Sequence, residues 1–598
     1  MDEGKLVSEI MAKIRLAESD IQTKRNQWLE HYKMYRNYRS DAVIGGRSNR
    51  SIPLAFEWVE VVKSRLFDIF CGKRPYVRVK GREPMDEYPA KAIELYQNYQ
   101  YDLENQYRRL VYNILTQALV YGTGIAKVCW RYKEDMRTVY QPILQDMPQL
   151  GSLPEQQMVP IYDNVFFELV DIFDFFVDPS PTIREAQWCA HRTYKSVDHV
   201  IEMANQGIYT NIDELVERTQ GDRGGHYKDQ NKQEILVIEG HQSDKGGLVK
   251  PIELIEYQTD DSIIVIADGK KVIRQSDNPY NCKTFIAGKI IETPHEFYGV
   301  PLIESGAQLA KVVEDLINNA LDNQQMAINK MVGINELLVD DTEAVIRPAG
   351  IWHTRGNPHD AIFEFQFSDI APSVFQLVAM INDFAKRSTG VVDYVVGQAA
   401  GGKTATEASL LTNEAAKRIG LHIHVFGDTF VGELSKMVHD MNRKFLTADK
   451  LFRVTAMDGM SFEMVKMSPD VLGVDVDFIW EHEDRELNNM VAVQQMNQLL
   501  MIANSNPILM GFVPILFAKV CEIYGMHQND DLMKAANLAR QLVPMAQLAA
   551  ITGGGGMEQE GGMGSNAKKN AGGSEGNVRQ SANKKSSPQY GSITQVRG

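Results

Sequence analysis

Gly397 is followed by four residues and then by Gly402, Lys403 and Thr404, the spacing G-x-x-x-x-G-K-[ST]. Glycines so placed let backbone N–H groups wrap phosphates. The lysine then reaches the terminal phosphate and the threonine hydroxyl holds Mg²⁺. Taken alone, Gly397–Thr404 is the phosphate loop of an NTPase. That chemistry also needs a second, buried strand presenting an aspartate to the metal, within a parallel sheet of βαβ units. Downstream, the sequence reads as one very long helix, one alternating strand and a helical block. The strand, DVDFIWEHED, alternates polar and apolar residues, which suits a half-exposed position rather than a central one. The other reading of Gly397–Thr404 is a flexible glycine loop joining two helices.

Other chemistry-bearing residues are weaker candidates. His422 and His424 lie two apart and diverge on a helix, so a shared metal is not expected. Asp475, Asp477, Glu481, Glu483 and Asp484 could collect a divalent ion or form a solvated strand edge. His353 and His359 show no zinc spacing. The tyrosines of 96–121 suit packing better than base stacking, because duplex DNA offers no exposed base faces. G-x-S-x-G, H-E-x-x-H and a Cys/His nucleophile arrangement are all missing. The expectation is a chain that is not an enzyme, with no catalytic residues, no metal and no cofactor.

At 598 residues the chain can bury several cores, and its net charge of −15 gives it no overall attraction for nucleic acid. A negative wall would instead let phosphates pass without trapping them. The cysteines Cys71, Cys129, Cys189, Cys282 and Cys521 are scattered, with no CxxC pair, and read as reduced thiols. The opening MDEGKLVSEIMAKIRLAESD is charged from its second residue and is not expected to be a leader. The longest apolar run, ILMGFVPILFA, is too short to span a bilayer. No membrane association is expected.

The elements that must position these residues follow from periodicity. Helices are expected over residues 1–40 and from about Pro53 to Phe70, and a long tyrosine-rich helix over 89–121, capped by Gly122 in the left-handed conformation. Short strands follow to about residue 300, including EILVIEGHQ and a hairpin turning at ADGKK, with a helical insert near 196–220. A helix from about 301 to 331 carries Leu302, Gly306, Leu309, Val313, Leu316, Ala320, Ala327 and Met331 on one stripe, broken by Asn323. A β-like insert and a returning helix come next. Residues 405–446 hold no proline, and Gly420, Gly427 and Gly432 each weaken that helix and favour a bend. The fold class is α+β, mostly helical.

Four segments, LTQALVYGTGIAKVCW, DIFDFFVDPSPTIREAQWCAHRTYKS, GVPLIESGAQLAKVVEDLINNAL and TATEASLLTNEAAKRIG, together resemble a tailed-bacteriophage portal, or head-to-tail connector, of the short-tailed podovirus type. The resemblance implies a portal fold of wing, stem, clip and crown assembled as a ring. Residues 1–298 would be wing, 299–331 the descending stem helix, 332–370 the clip and 371–390 the ascending stem helix. Residues 391–404 would be the tunnel loop, 405–448 the long wing helix, 449–485 wing strands, 486–552 the crown and 553–598 a disordered tail. It implies a twelve-subunit homo-oligomer at one vertex of the virion head, assembled in the host cytoplasm. Double-stranded DNA would pass through its channel during packaging and ejection. Partners would be the terminase, the major capsid and scaffolding proteins, and a tail or neck adaptor. Gly397, Gly401, Gly402 and Lys403 would face the channel, with Lys386 and Arg387 beside them. Solvated or intersubunit charge is the alternative for these cations.

Overall fold

The computed structural model describes residues 3–39, 47–72, 74–103, 106–142, 152–213, 215, 230–240, 251–328, 332–335, 337–339, 351, 353–365, 372–390, 419–447, 449–455 and 462–480. The chain divides into two units, Met1–Glu483 and Asp484–Gly598, and all of these residues belong to the first.

Helix α1 (Glu3–Tyr35) lays Val7, Ile10, Ile14 and Ala17 on a five-stranded sheet. Helix α2 is Leu54–Cys71 and β1 is Arg78–Gly81. The tyrosine-rich segment expected as one helix is two, α3 (Glu87–Asp102) and α4 (Gln106–Tyr121). Leu103 leaves helical geometry at φ −54°, ψ 119°, which lets Tyr101 and Tyr107 stack at 4.7 Å. That contact lies between the helices and no helical periodicity encodes it. Helix α4 is buried nearly all round through Leu110, Val111, Ile114, Leu115, Ala118 and Leu119. Truncating such a residue to alanine costs about 2–5 kcal/mol.

Gly122 ends α4 at φ +90°, as expected. The chain then enters a long antiparallel ribbon, β2 (Thr123–Pro142) and β3 (Ser152–Val170). Near its base β2 also pairs with β9 (Phe285–Lys289). Beyond Trp130 the ribbon leaves the body, and every residue of 131–138 is exposed.

The five-stranded sheet is antiparallel, in the order β4 (Phe175–Val177), β5 (Cys189–Lys195), β6 (Ile252–Gln258), β7 (Ser262–Ala267), β8 (Lys271–Asp277). The turn between β7 and β8 places Asp268 at φ 49° and Gly269 at φ 66°, the paired left-handed geometry of a tight hairpin. Helix α5 (Val197–Asn205) begins on Ser196, whose Oγ accepts from the His199 N–H. Of EILVIEGHQ, expected as a strand, the first five residues instead belong to helix α6 (Gln230–Ile238). A short β-branched run has no decisive period. Here Lys232 at the helix start is tied to Asp174 beside the sheet.

Buried charges in this unit are matched. Lys127 Nζ donates to Glu256 at 2.6 Å. Arg192 pairs with Asp174 at 3.2 Å and with Glu18 at 3.2 Å. Burial pushes Glu256 up, but the Lys127 ammonium outweighs it and holds the carboxyl at about 2. Burial lowers His191 to about 4, with Lys127 adding repulsion.

Helices α7 (Glu304–Ile328) and α8 (Pro372–Thr389) flank a β-like insert, as expected. In it β10 (Val332–Ile334) pairs with β11 (Ile362–Glu364), and Val339 bridges Thr354. Residues 419–445 form helix α9, with a wider π turn at Gly427–Gly432 followed by the α-helical stretch Glu433–Phe445. Strands β12 (Lys450–Thr455) and β13 (Phe462–Met467) form a hairpin, and β14 (Val476–Ile479) pairs with β1. The expected bend in the long helix takes the form of the π turn. Gly427 has a second role there: a Cβ on it would lie 2.3 Å from the Trp480 indole, so the glycine is the socket for that ring.

Candidate functional site

The α7/α8 pair grows from a tightly built base. Residues 299–302 cross the end of α4, where Gly122 and Gly299 meet backbone to backbone. A Cβ on Gly122 would stand 2.0 Å from the Gly299 carbonyl oxygen. Gly299 N–H donates to Thr123 Oγ1 at 2.9 Å and Leu302 N–H to the Leu119 carbonyl at 3.0 Å. One turn on, Gly306 admits the Trp58 ring, which a Cβ would meet at 2.5 Å.

Two further sets of contacts fix the direction of the pair. Ser388 Oγ donates to the Ser305 carbonyl at 2.7 Å, joining the end of α8 to the start of α7. Ile381, Ala385 and Thr389 form the buried face of α8 at four-residue steps. On the other side, residues 48–52 clasp α7 through side-chain acceptors. Asp322 takes the Ser48 N–H at 2.5 Å, Asn318 takes the Arg50 N–H at 2.7 Å, and Glu314 takes the Ile52 N–H at 3.1 Å and the Ser51 hydroxyl at 3.0 Å. Asn318 returns a bond from Nδ2 to the Arg50 carbonyl at 2.9 Å.

The outer faces carry apolar residues with solvent before them. On α7, Val312, Leu321, Met326 and Ile328 are exposed. On α8, Leu377, Met380 and Phe384 form a stripe, Phe375 is exposed nearer the helix start, and Phe384 is 49% exposed. The insert adds exposed Leu337, Ile351, Phe363 and Phe365. Of the expected α7 stripe, Leu302, Gly306 and Val313 near its base are buried, and Leu309, Leu316, Ala320 and Ala327 are half-buried. Contiguous exposed apolar surface of this kind marks an interaction face.

Lys386 and Arg387 occupy the last turn of α8, and Gly390 at φ +79° ends it. Cations there complement the helix dipole. Arg387 pairs with Asp383 one turn back at 2.5 Å, so a phosphate would compete with that carboxylate. Gly397, Gly401, Gly402 and Lys403 lie outside the described residues, as do Thr404, the segments 391–404 and 486–552, and the tail 553–598. The two cations thus stand at the last described turn before the glycine-rich segment.

The remaining candidates take structural places. His422 is buried with Nδ1 3.3 Å from the Ile290 carbonyl oxygen, while His424 turns to Trp480, so the two rings diverge. Asp477 accepts from Arg82 at 2.9 Å, and Arg443 lies 3.9 Å from Asp475. Glu481, Glu483 and Asp484 fall outside the described residues. Among the described residues no group of three His, Cys, Asp or Glu side chains is placed to hold a metal. Tyr96, Tyr101 and Tyr107 are core residues, and burial pushes their hydroxyl pKa values up.

Among the described residues every strand pair is antiparallel. The strand that would have to present the metal aspartate, β14, pairs among the described residues with β1 alone. A phosphate loop at Gly397–Thr404 would lack its parallel sheet in this region. Also among the described residues, no helix is long and apolar enough to cross a membrane.

Sequence reasoning missed the Gly122–Gly299 junction and the clasp at 48–52. The glycines were the only signal for the first, and the second joins residues more than 260 positions apart. None of the curated proteins matches the chain. The family model for the phage SU10 portal protein matches residues 6–165 and 156–553, which takes in the helices, the sheets and the glycine-rich segment alike. With that match over most of its length, the chain belongs to the phage SU10 portal protein family.

Proposed function

We propose that this chain assembles with copies of itself into a ring at one vertex of a phage head, the conduit through which duplex DNA is packaged and ejected. The observation that carries this is the pair α7 and α8, whose exposed apolar side chains have no cover among the described residues. Copies arranged around an axis would bury each stripe against the next pair. The pair would be the stem, 332–370 the clip, 1–298 with 405–485 the wing, and 486–552 the crown. The ring would hold twelve subunits. The clip would dock the packaging terminase and later a tail or neck adaptor, and the rim would meet capsid and scaffolding proteins in the host cytoplasm. The energy for DNA movement would come from the terminase.

In this reading the 391–404 segment lines the channel. Gly397, Gly401 and Gly402 keep it small and mobile, and Lys403, Lys386 and Arg387 touch passing phosphates briefly. The net charge of −15 keeps the walls from holding the duplex. Electron microscopy of the purified full-length protein tests the proposal. Rings with a central hole and about twelve-fold symmetry are expected, and a stable monomer at high concentration would overturn it. Hydrolysis of ATP lost in Lys403→Ala would return the glycine segment to nucleotide chemistry.

A further inference from the structure

The β2–β3 ribbon runs past the body with solvent on both faces. From residue 131 to 142 it extends roughly 35 Å at about 3.3 Å per residue. An isolated two-stranded ribbon is marginal in water, so this length calls for a surface to lie on. The strand register divides its described side chains. One face carries Tyr132, Met136, Met158 and Pro160 with one carboxylate, Glu134, among them, and Met136 and Met158, directly opposite each other, are 61% and 57% exposed. The other face carries Arg131, Lys133 and Arg137 against Asp135. The ribbon thus carries its methionine pair on one side and a net positive charge on the other.

A groove of about 680 Å³ elsewhere on the body has the complementary pair of walls. On one side α9 presents Asp428, Glu433 and Asp440. The apolar part of its lining is Ile183, Phe285 and Phe297, side chains that belong to the buried core. Lys283 is matched to Asp260 at 2.7 Å, Lys289 lies 3.8 Å from Glu292, and Arg184 pairs with Glu433 across the groove. Glu185, Asp428 and Asp440 add to these, so the groove holds six carboxylates against three cations.

The ribbon cannot reach this groove on its own body. Strand β9 borders the groove and pairs with β2 at Thr123–Lys127, and β2 then runs on in unbroken pairing with β3 to Pro142. Folding back would break that ladder. We propose that the β2–β3 ribbon of one copy inserts into the groove beside α9 of the next copy. Its methionine face lies on Ile183 and Phe297, and its basic face turns to Asp428 and Asp440. Donor and acceptor are different surfaces of one chain, so the contact is head-to-tail, the type that closes into rings. The inference rests on the ring reading above.

Cys282 lines the groove and is a partly exposed free thiol, which supplies the test. Full-length Met136→Cys protein is treated with a short bis-maleimide at alkaline pH, since burial pushes the Cys282 thiol up. A ladder of covalent multimers is expected on a denaturing gel, at least tenfold stronger than in the parent chain and lost in Met136→Cys/Cys282→Ser. In parallel, Lys133→Glu/Arg137→Glu should raise the protein concentration needed for half-assembly at least tenfold, and adding Asp440→Lys should recover part of it. Rings that form without a ladder, or a ladder that survives Cys282→Ser, would overturn the docking while leaving the ring intact. A parent chain that makes no rings would sink the ring reading itself.

Discussion

The junction of Gly122 with Gly299 sets a measurable stability difference. In Gly122→Ala the new methyl meets two separate penalties. At φ +90° an L-residue is strained by about 1–2 kcal/mol. The Cβ would also stand 2.0 Å from the Gly299 carbonyl oxygen and 2.7 Å from its carbon, backbone atoms that cannot swing aside. Forcing such overlap costs about 1–3 kcal/mol. Loss of unfolded-state freedom returns about 0.4–1 kcal/mol, leaving a net destabilisation of about 3 kcal/mol. Gly207→Ala isolates the first penalty, because Gly207 sits at φ +74° with no atom within 4 Å of its would-be Cβ. It should lose only about 1 kcal/mol. The difference of about 2 kcal/mol corresponds to roughly thirtyfold in an opening equilibrium. Hydrogen exchange reads it directly. The Gly299 and Leu302 amides, which bond Thr123 and Leu119, should exchange about thirtyfold faster in Gly122→Ala than in Gly207→Ala. Equal rates in the two variants would refute the backbone contact.

The histidines His31 and His191 make the fold acid-sensitive: burial, reinforced by Lys311 and Lys127 respectively, lowers each to about 4 from 6.5. The folded chain then binds fewer protons than the unfolded one between those values. Stability is therefore full above pH 6.5 and falls by about 3 kcal/mol per histidine as pH drops to 4, measurable by urea unfolding across that window. Glu256, held at about 2 against an ordinary 4.5, adds a further loss below that range. Lys127→Met, which strands the Glu256 carboxylate, should cost about 3 kcal/mol in urea midpoint analysis, and Lys127→Met/Glu256→Leu should recover most of it. Phe384→Asp, at a half-exposed site, should leave the melting temperature nearly unchanged yet abolish rings in electron micrographs. Rings from this variant would argue against the outer face of α8 as a subunit contact.

Much of the architecture was legible where the signal is local. The left-handed cap at Gly122, the turn at Asp268–Gly269 and the helix–insert–helix order from Glu304 to Thr389 all follow from spacing and residue type. Features set by distant partners were not. The break at Leu103 serves the stacking of Tyr101 on Tyr107. Gly427 reads in the sequence as a weak point in a helix, but its reason is a ring 53 residues further on. The outer half of the β2–β3 ribbon packs neither face on the core and carries Glu134 on its methionine face, so no clean polar–apolar alternation marks it in the sequence. For the candidate site, Lys386 and Arg387 were found where periodicity places them, at the end of α8. The salt bridge to Asp383 was one turn away and could have been read from the i, i+4 spacing.

The clasp at residues 48–52 gives α7 a mechanical reporter. Its five bonds to Glu314, Asn318 and Asp322 sit about three to five turns along the helix, far enough from the Gly299 pivot to act as a lever arm. Any tilt of α7 about that pivot must either snap these bonds or drag the stretch leading into α2, which carries Trp58 into the central core. Pressure applied at the far end of the helix would thus be felt as tension in the polypeptide between α1 and α2.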